Sequence, residues 1–182
     1  MALLVTAVAK AVFVSSWRKA ELGDNHCRIY SAVGFAARLD GKRKGVYSFD
    51  GEPIAFAVGS YISNSSWMRL LSLAVFGVPS EEVWKNPMVY KGLPFFELVY
   101  MEDQGSIGPK TSKKLVADFL AHKETIRQKV RTVIEDDFDN ECNLADYKFS
   151  DYGFGLEGFI CVYNKWCEVF ARASDEGFVC FG

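Results

Sequence analysis

The residues best placed to do chemistry lie in one stretch, PFFELVYMEDQGSIGPKTSKKLVADF, at positions 94–119. Its carboxylates include Glu97 and Asp103, ahead of a glycine-punctuated turn. Carboxylates that converge can hold a divalent cation or divide acid–base work between them. Gly105 and Gly108 tolerate backbone angles that other residues resist, so amides around Ser106 can turn inward as a small nest. Pro109 suits the first position of a helix, and Lys113 or Lys114 adds positive potential to the amides there. Together these features make a recipe for holding an anion. The same residues also make an ordinary turn with a good helix start, in which Asp103 bonds the turn amides. The spacing is not that of a P-loop.

Glu97 poses a separate question, because its neighbours on both sides are apolar. A buried carboxylate is expensive unless it is paired or hydrogen-bonded. If it faces inward, Arg69, Lys113 or a tyrosine should answer it, or it should be protonated. If the segment is a strand, alternation can instead turn Glu97 to solvent.

Other reactive types are less suggestive. His122 sits on an apolar stripe and reads as a satisfied boundary histidine, since nothing near it in sequence makes a triad. Ser60, Ser63, Ser65 and Ser66 do not form a nucleophile elbow. The five cysteines, Cys27, Cys142, Cys161, Cys167 and Cys180, are odd in number and lack Cys-x-x-Cys spacing. They read as reduced, mostly buried thiols, and scattered positions argue against a zinc site. The acidic residues at 135–141 lack EF-hand spacing and read as a solvated connector.

Several elements must position these residues. Residues 2–16 read as a strand and 27–39 as strand or helix. Asp40-Gly41 starts a turn. Alternation on either side of Asp50-Gly51 predicts a hairpin with strands near 46–50 and 54–59. A helix is expected over 65–77, capped by Asn64 or Ser65 and ended by Gly77, with Trp67, Leu70, Leu71 and Ala74 facing the core. A short helix follows at 79–85, and 94–101 reads as a strand. Leu115, Phe119, His122, Ile126, Val130 and Val133 step by threes and fours, which predicts a long amphipathic helix over about 110–135. A C-terminal helix over about 156–173 and a strand at 178–181 complete the pattern. Strands and helices do not alternate regularly. The expected class is therefore α+β, with a mostly antiparallel sheet packed on the two long helices.

At 182 residues, with 49% hydrophobic and 24% charged side chains, the chain suits one folded domain spanning 1–182. Residues 1–44 read as an N-terminal extension that either extends the main sheet or forms its own lobe. A net charge of −2 demotes nucleic-acid binding, although Lys42-Arg43-Lys44 is a local basic patch. The opening MALLVTAVAKAVFVSSW lacks a basic start, is interrupted by Lys10, and is too short to span a bilayer. A cytoplasmic protein without a cofactor, a bound metal or a membrane association is expected, and a homo-oligomer is allowed.

The segments GSYISNSSWMR (59–69), PFFELVYMEDQGSIGP (94–109), SKKLVADF (112–119) and WCEVFARASDEGFVCFG (166–182) resemble a family of small, uncharacterised bacterial and phage- or prophage-encoded proteins. The resemblance covers roughly residues 45–182, departs from the family pattern at 62–66, and does not extend to the first 44. No activity is known for that family. The resemblance implies a shared scaffold and a phage–host context. It also implies that Ser60, Tyr61, Trp67, Arg69, Glu97, Asp103, Gly105, Gly108 and Asp118 act together. With Ser106 and Lys113 from the loop, these residues apart from Ser60 make the candidate ligand-binding set.

Two functional classes follow. One is a non-enzymatic cytoplasmic binding or host-interaction protein, acting on a protein partner or small ligand. The other is a small metal-assisted hydrolase or transferase using Glu97, Asp103 and Asp118, with the glycine-rich loop holding an anion. A salt-bridged, filled centre with an exposed aromatic patch favours the first class. A concave pocket joining the three carboxylates favours the second.

Overall fold

A computed structural model describes residues 2–16, 26–29, 39–101, 105–139 and 155–181. The organising element is β1 (Ala2–Ser15), whose run of Val, Ala and Phe suits a buried strand. It pairs antiparallel with β3 (Gly45–Ser60) along one edge and with β5 (Phe178–Phe181) along the other. Two short strands complete the sheet, β2 (His26–Ile29) beside β3 and β4 (Gly105–Ile107) beside β5, in the order β2-β3-β1-β5-β4. Residues 2–15 are thus the central strand of the sheet rather than an appendage to it.

The helices are α1 (Tyr61–Phe76), α2 (Ser80–Lys85), α3 (Pro87–Tyr90), α4 (Phe96–Val99), α5 (Pro109–Asp139) and α6 (Leu156–Ala173). The fold is α+β in one domain. The main core lies where α1, α5 and α6 meet the sheet. Trp67, Phe119, Phe159, Tyr163, Trp166 and Phe170 are each 0–1% exposed there. Burying each such ring removes enough apolar surface to stabilise by roughly 1.5–3 kcal/mol. The rings also meet in favourable geometries, with Trp67 stacked on Phe159 at 5.2 Å and Phe119 edge-on to Tyr163 at 4.6 Å.

The expected hairpin at Asp50-Gly51 does not form. Residues 45–60 make one long strand, and its partner is β1. The Asp-Gly pair instead marks an irregularity in that strand. Gly51 has φ 68 and Lys10 opposite has φ 48, and the β1–β3 register shifts on both sides of Ala9. Such a bulge bends a strand pair and increases its twist. The Arg172 guanidinium straps this bend from α6, donating to the Asp50 and Glu52 carbonyls at 3.0 and 2.8 Å.

Strand alternation divides β1 between two cores. Val5 and Ala7 join the main core, whereas Val8 faces a second cluster with Ile29, Tyr47, Phe49 and Phe178. Residues of β2 and β5 share this small core although two strands separate them in the sheet, so the sheet folds over on itself.

Two further expectations are corrected. Residues 94–101 are not a strand but a left-handed bend at Phe95 followed by the single turn of α4. The helix expected at 65–77 starts four residues earlier, directly after β3, so Asn64, buried, and Ser65, exposed, both lie within it rather than capping it. Its stop at Gly77, with φ 72, is as expected. Helices α5 and α6, strand β5 and the short α2 also form where the sequence pattern places them, with α5 running on to 139. Residues 30–38 and 140–154 of the expected elements lie outside the described residues.

The packing makes two predictions. At Gly177 a Cβ would stand 1.7 Å from the Val8 carbonyl oxygen, whereas at Gly155 it would meet nothing within 4 Å. Gly177→Ala should lower the unfolding free energy by about 2–3 kcal/mol, and Gly155→Ala should leave it within about 0.5 kcal/mol of the parent, in denaturant titrations. Second, the Tyr163 hydroxyl donates to the Phe119 carbonyl at 2.8 Å, and burial pushes its proton affinity well above the ordinary tyrosine value. The folded state therefore holds this proton more tightly than the unfolded chain. The stability it contributes is complete below about pH 10 and should fall as pH rises beyond. Tyr163→Phe should flatten that part of a pH–stability curve.

Candidate functional site

The turn between α3 and α5 carries an unusual backbone. Phe95 is fully buried with φ 61, an angle that bulky residues rarely adopt. Two consecutive residues of α5 hold it there. The Asp118 carboxylate accepts the Phe95 backbone N–H at 2.9 Å, and the Phe119 ring packs edge-on against the Phe95 ring at 5.0 Å. Tyr163 and His122 flank the same ring at 6.1 and 6.2 Å. His122 is therefore half-buried beside an aromatic ring, in keeping with a boundary role.

Lys114, one turn before Asp118, is the hub of the polar groups. Its ammonium donates to Glu97 Oε2 at 2.5 Å, Asp118 Oδ2 at 3.1 Å and the Leu93 carbonyl at 3.2 Å. A lysine has three N–H donors, and each has an acceptor here. The Glu97 and Asp118 side chains are 19% and 14% exposed, so their pairing is partly shielded from water. Glu97 thus faces inward and is answered, but by Lys114 rather than by Arg69, Lys113 or a tyrosine. Arg69 pairs with Glu81 on α2 at 3.2 Å. Lys113 is exposed to solvent.

The glycine-rich turn builds a different contact. Gly105 has φ 103, a conformation that suits glycine, and starts the pairing of β4 with β5. The Ser106 hydroxyl accepts the Lys42 amide at 2.7 Å and donates to the Lys42 carbonyl at 3.2 Å. Gly108 donates its N–H to the Leu39 carbonyl at 3.0 Å. A Cβ on Gly108 would fall 1.9 Å from the Asp40 carbonyl oxygen, so no side chain fits there.

The amides of Lys110 and Thr111, in the first turn of α5, donate to the two Asp40 carboxylate oxygens at 2.8 and 3.0 Å. A carboxylate at this position satisfies amides that have no partner within the helix and suits the helix dipole. The chain's own Asp40 therefore sits where the sequence suggested an anion. Asp40 is the residue that sequence reasoning missed. Its signal was the Asp-Gly turn at 40–41, but nothing in the sequence says which helix that turn would meet.

The remaining candidates are dispersed. Trp67 is fully buried, its indole N–H donating to the Phe159 carbonyl at 3.2 Å. Tyr61 opens α1, and its side chain lies outside those described. Asp103 lies outside the described residues altogether. The structure thus brings together Glu97 and Asp118 around Lys114, and Gly105, Ser106 and Gly108 against residues 39–42, as two separate sets of bonds. Among the described residues, no three His, Cys, Asp or Glu side chains gather as a metal-binding group, and no helix is long and apolar enough to cross a membrane.

Compared with known proteins, the chain matches no family model, no curated protein and no solved structure. The resemblance to phage-related proteins rests on the four sequence segments alone.

Removing the acceptor at Phe95 should be the more damaging change to this network. Asp118→Ala leaves a strained, shielded N–H unpaired and should cost about 1–3 kcal/mol. Lys114→Ala removes a partly exposed ammonium and should cost about 1 kcal/mol. In a double-mutant cycle the two losses should fall short of additive, because both act through the same carboxylate. Urea titrations of the four proteins measure this directly.

Proposed function

We propose that this protein is a non-enzymatic binding protein, and that the surface of α2, α3 and the turn after them docks a protein partner with an apolar face. One contrast supports this reading. The polar groups that would do chemistry are bonded to one another, while large apolar side chains nearby are left in water. Trp84, Met88, Val89 and Leu93 are 45%, 78%, 72% and 44% exposed within ten residues of sequence. Helix α3 buries none of its own residues.

Trp84 is already held in place, since its indole N–H donates to the Val99 carbonyl at 2.8 Å. A pre-ordered indole loses little freedom on binding, which suits an anchor at the centre of an interface. The resemblance adds a context to this reading: a phage or prophage accessory factor acting on a host protein in the cytoplasm.

The test compares the parent protein with a Met88→Glu, Val89→Lys variant. Both are tagged, purified from the same cells and analysed by mass spectrometry for stoichiometric companions. The variant should melt within about 1–2 °C of the parent, because surface changes of this kind rarely move stability by more than about 0.5 kcal/mol. It should lose a companion that the parent retains. Equal retention by both proteins overturns the assignment of this surface.

A further inference from the structure

The folded-over sheet brings two distant thiols together. Cys27 lies on edge strand β2 and Cys180 on the C-terminal strand β5, 153 residues apart in sequence, yet their sulfur atoms are 3.5 Å apart. We propose that Cys27 and Cys180 are a redox-sensitive pair, which a hydroperoxide converts to a disulfide that clasps β2 to β5 across the fold of the sheet.

Geometry is the main support. A disulfide needs its sulfurs at about 2.05 Å, so the thiols must close by roughly 1.5 Å. Cys27 is opposite Tyr47 and Cys180 is opposite Thr6 and Ser106 in their ladders, so both backbones are fixed. The two sulfurs lie against the small core of Val8, Ile29, Tyr47, Phe49 and Phe178, which keeps the strands in place. The other described cysteines, Cys161 and Cys167, are both on α6 and are an exposed and a half-buried thiol.

The chemistry divides unevenly between the two groups. The bond from Cys180 holds the Cys27 thiol below its ordinary proton affinity, while that same bond, together with burial, holds Cys180 well above it. Cys27 is therefore the more acidic thiol of the two, and its thiolate form is the attacking group. It attacks one oxygen of the hydroperoxide, the O–O bond breaks, and Cys27 becomes a sulfenic acid as water or alcohol leaves. Cys180 then attacks the Cys27 sulfur. The S–O bond breaks, the released hydroxide takes the Cys180 proton to form water, and the disulfide is complete. Two thiols have lost two electrons in total and one peroxide has gained them. A dithiol reductant reverses the step by exchange.

The test uses the full chain and hydrogen peroxide near stoichiometric amounts. Trypsin releases Cys27 in the peptide 20–28 and Cys180 in the peptide 173–182, each with one cysteine. The expected result is a cross-linked 20–28/173–182 species on non-reducing mass spectrometry that dithiothreitol removes. The melting temperature should rise by about 5 °C or more on oxidation, because the link closes a very long loop. Cys161→Ser should form the link as the parent does. Cys27→Ser should not form it, and should keep the unoxidised melting temperature after peroxide. Peroxide that carries Cys27 to the sulfinic acid, links it to another cysteine, or modifies only Cys161 overturns the proposal. The parent peptide map decides the matter even if a serine variant fails to fold.

Discussion

The carboxylate of Asp40, bonded to the first free amides of α5, fixes the relation between the sheet and the longest helix. An aspartate seventy residues away does the work that a neighbouring cap residue does in most helices. The contact demands a close approach of two backbones, which only a glycine at position 108 permits. The turn at 39–42 is bonded again through Ser106 and the Gly108 amide, so strand β4 and the start of α5 are held by one short segment. From there α5 places Lys114 and, one turn on, Asp118 and Phe119, and these in turn hold the bend at Phe95. Strain at Phe95 and order at residue 40 are thus connected along a single rigid helix.

The same economy of contacts shapes the sheet. A long antiparallel pair with both faces covered would need apolar side chains on each. Here β1 meets that need by bending at Lys10 and Gly51, so that one half covers part of the other. The helices cover one face and the folded end of the sheet covers part of the other, while Leu4, Val12 and Val14 stay exposed. Edge strands invite pairing with other chains unless they are short. The outer strands β2 and β4 are four and three residues long, which limits that liability.

How much of this was legible in the sequence depended on how local the cause was. Helices α5 and α6 carry their own signal, because an apolar stripe at steps of three and four suits a half-buried helix and no strand. The strand at 178–181 and the stop at Gly77 were likewise local signals. The segment 94–101 misled because a continuous apolar run does not distinguish a buried strand from a buried helical turn. The left-handed angle at Phe95 is imposed from α5, twenty-three residues away, and leaves no mark in its own neighbourhood. Asp50-Gly51 did announce a positive φ, but a bulge and a hairpin turn ask for the same residue pair. The grouping of Glu97 with Asp118 was suggested by the family resemblance, not by the residues' own spacing. Its hub was not legible, since Lys113 and Lys114 differ by about 100° of helix rotation and only the tertiary fold says which one faces Glu97.

The polar cluster therefore argues more for a scaffold than for a reaction centre. A catalytic lysine or carboxylate must have a donor or acceptor left for substrate, and a strained backbone at such a site is ordinarily aimed at a ligand. At this bend the arrangement runs the other way. The ammonium donates to three protein acceptors, the strained amide donates to Asp118, and the ring beyond it is buried among three aromatic neighbours. The bend uses the lysine's three donors and the strained amide in holding itself. What it delivers to the surface is the preceding segment, since Leu93, whose carbonyl Lys114 binds, is also the last of the exposed apolar residues after α3. Fixing that carbonyl from the core gives the apolar turn a defined position, and a preformed apolar surface binds with less loss of freedom than a loose one. In this molecule the internal ion pairs and the exposed hydrophobic segment are two ends of the same construction.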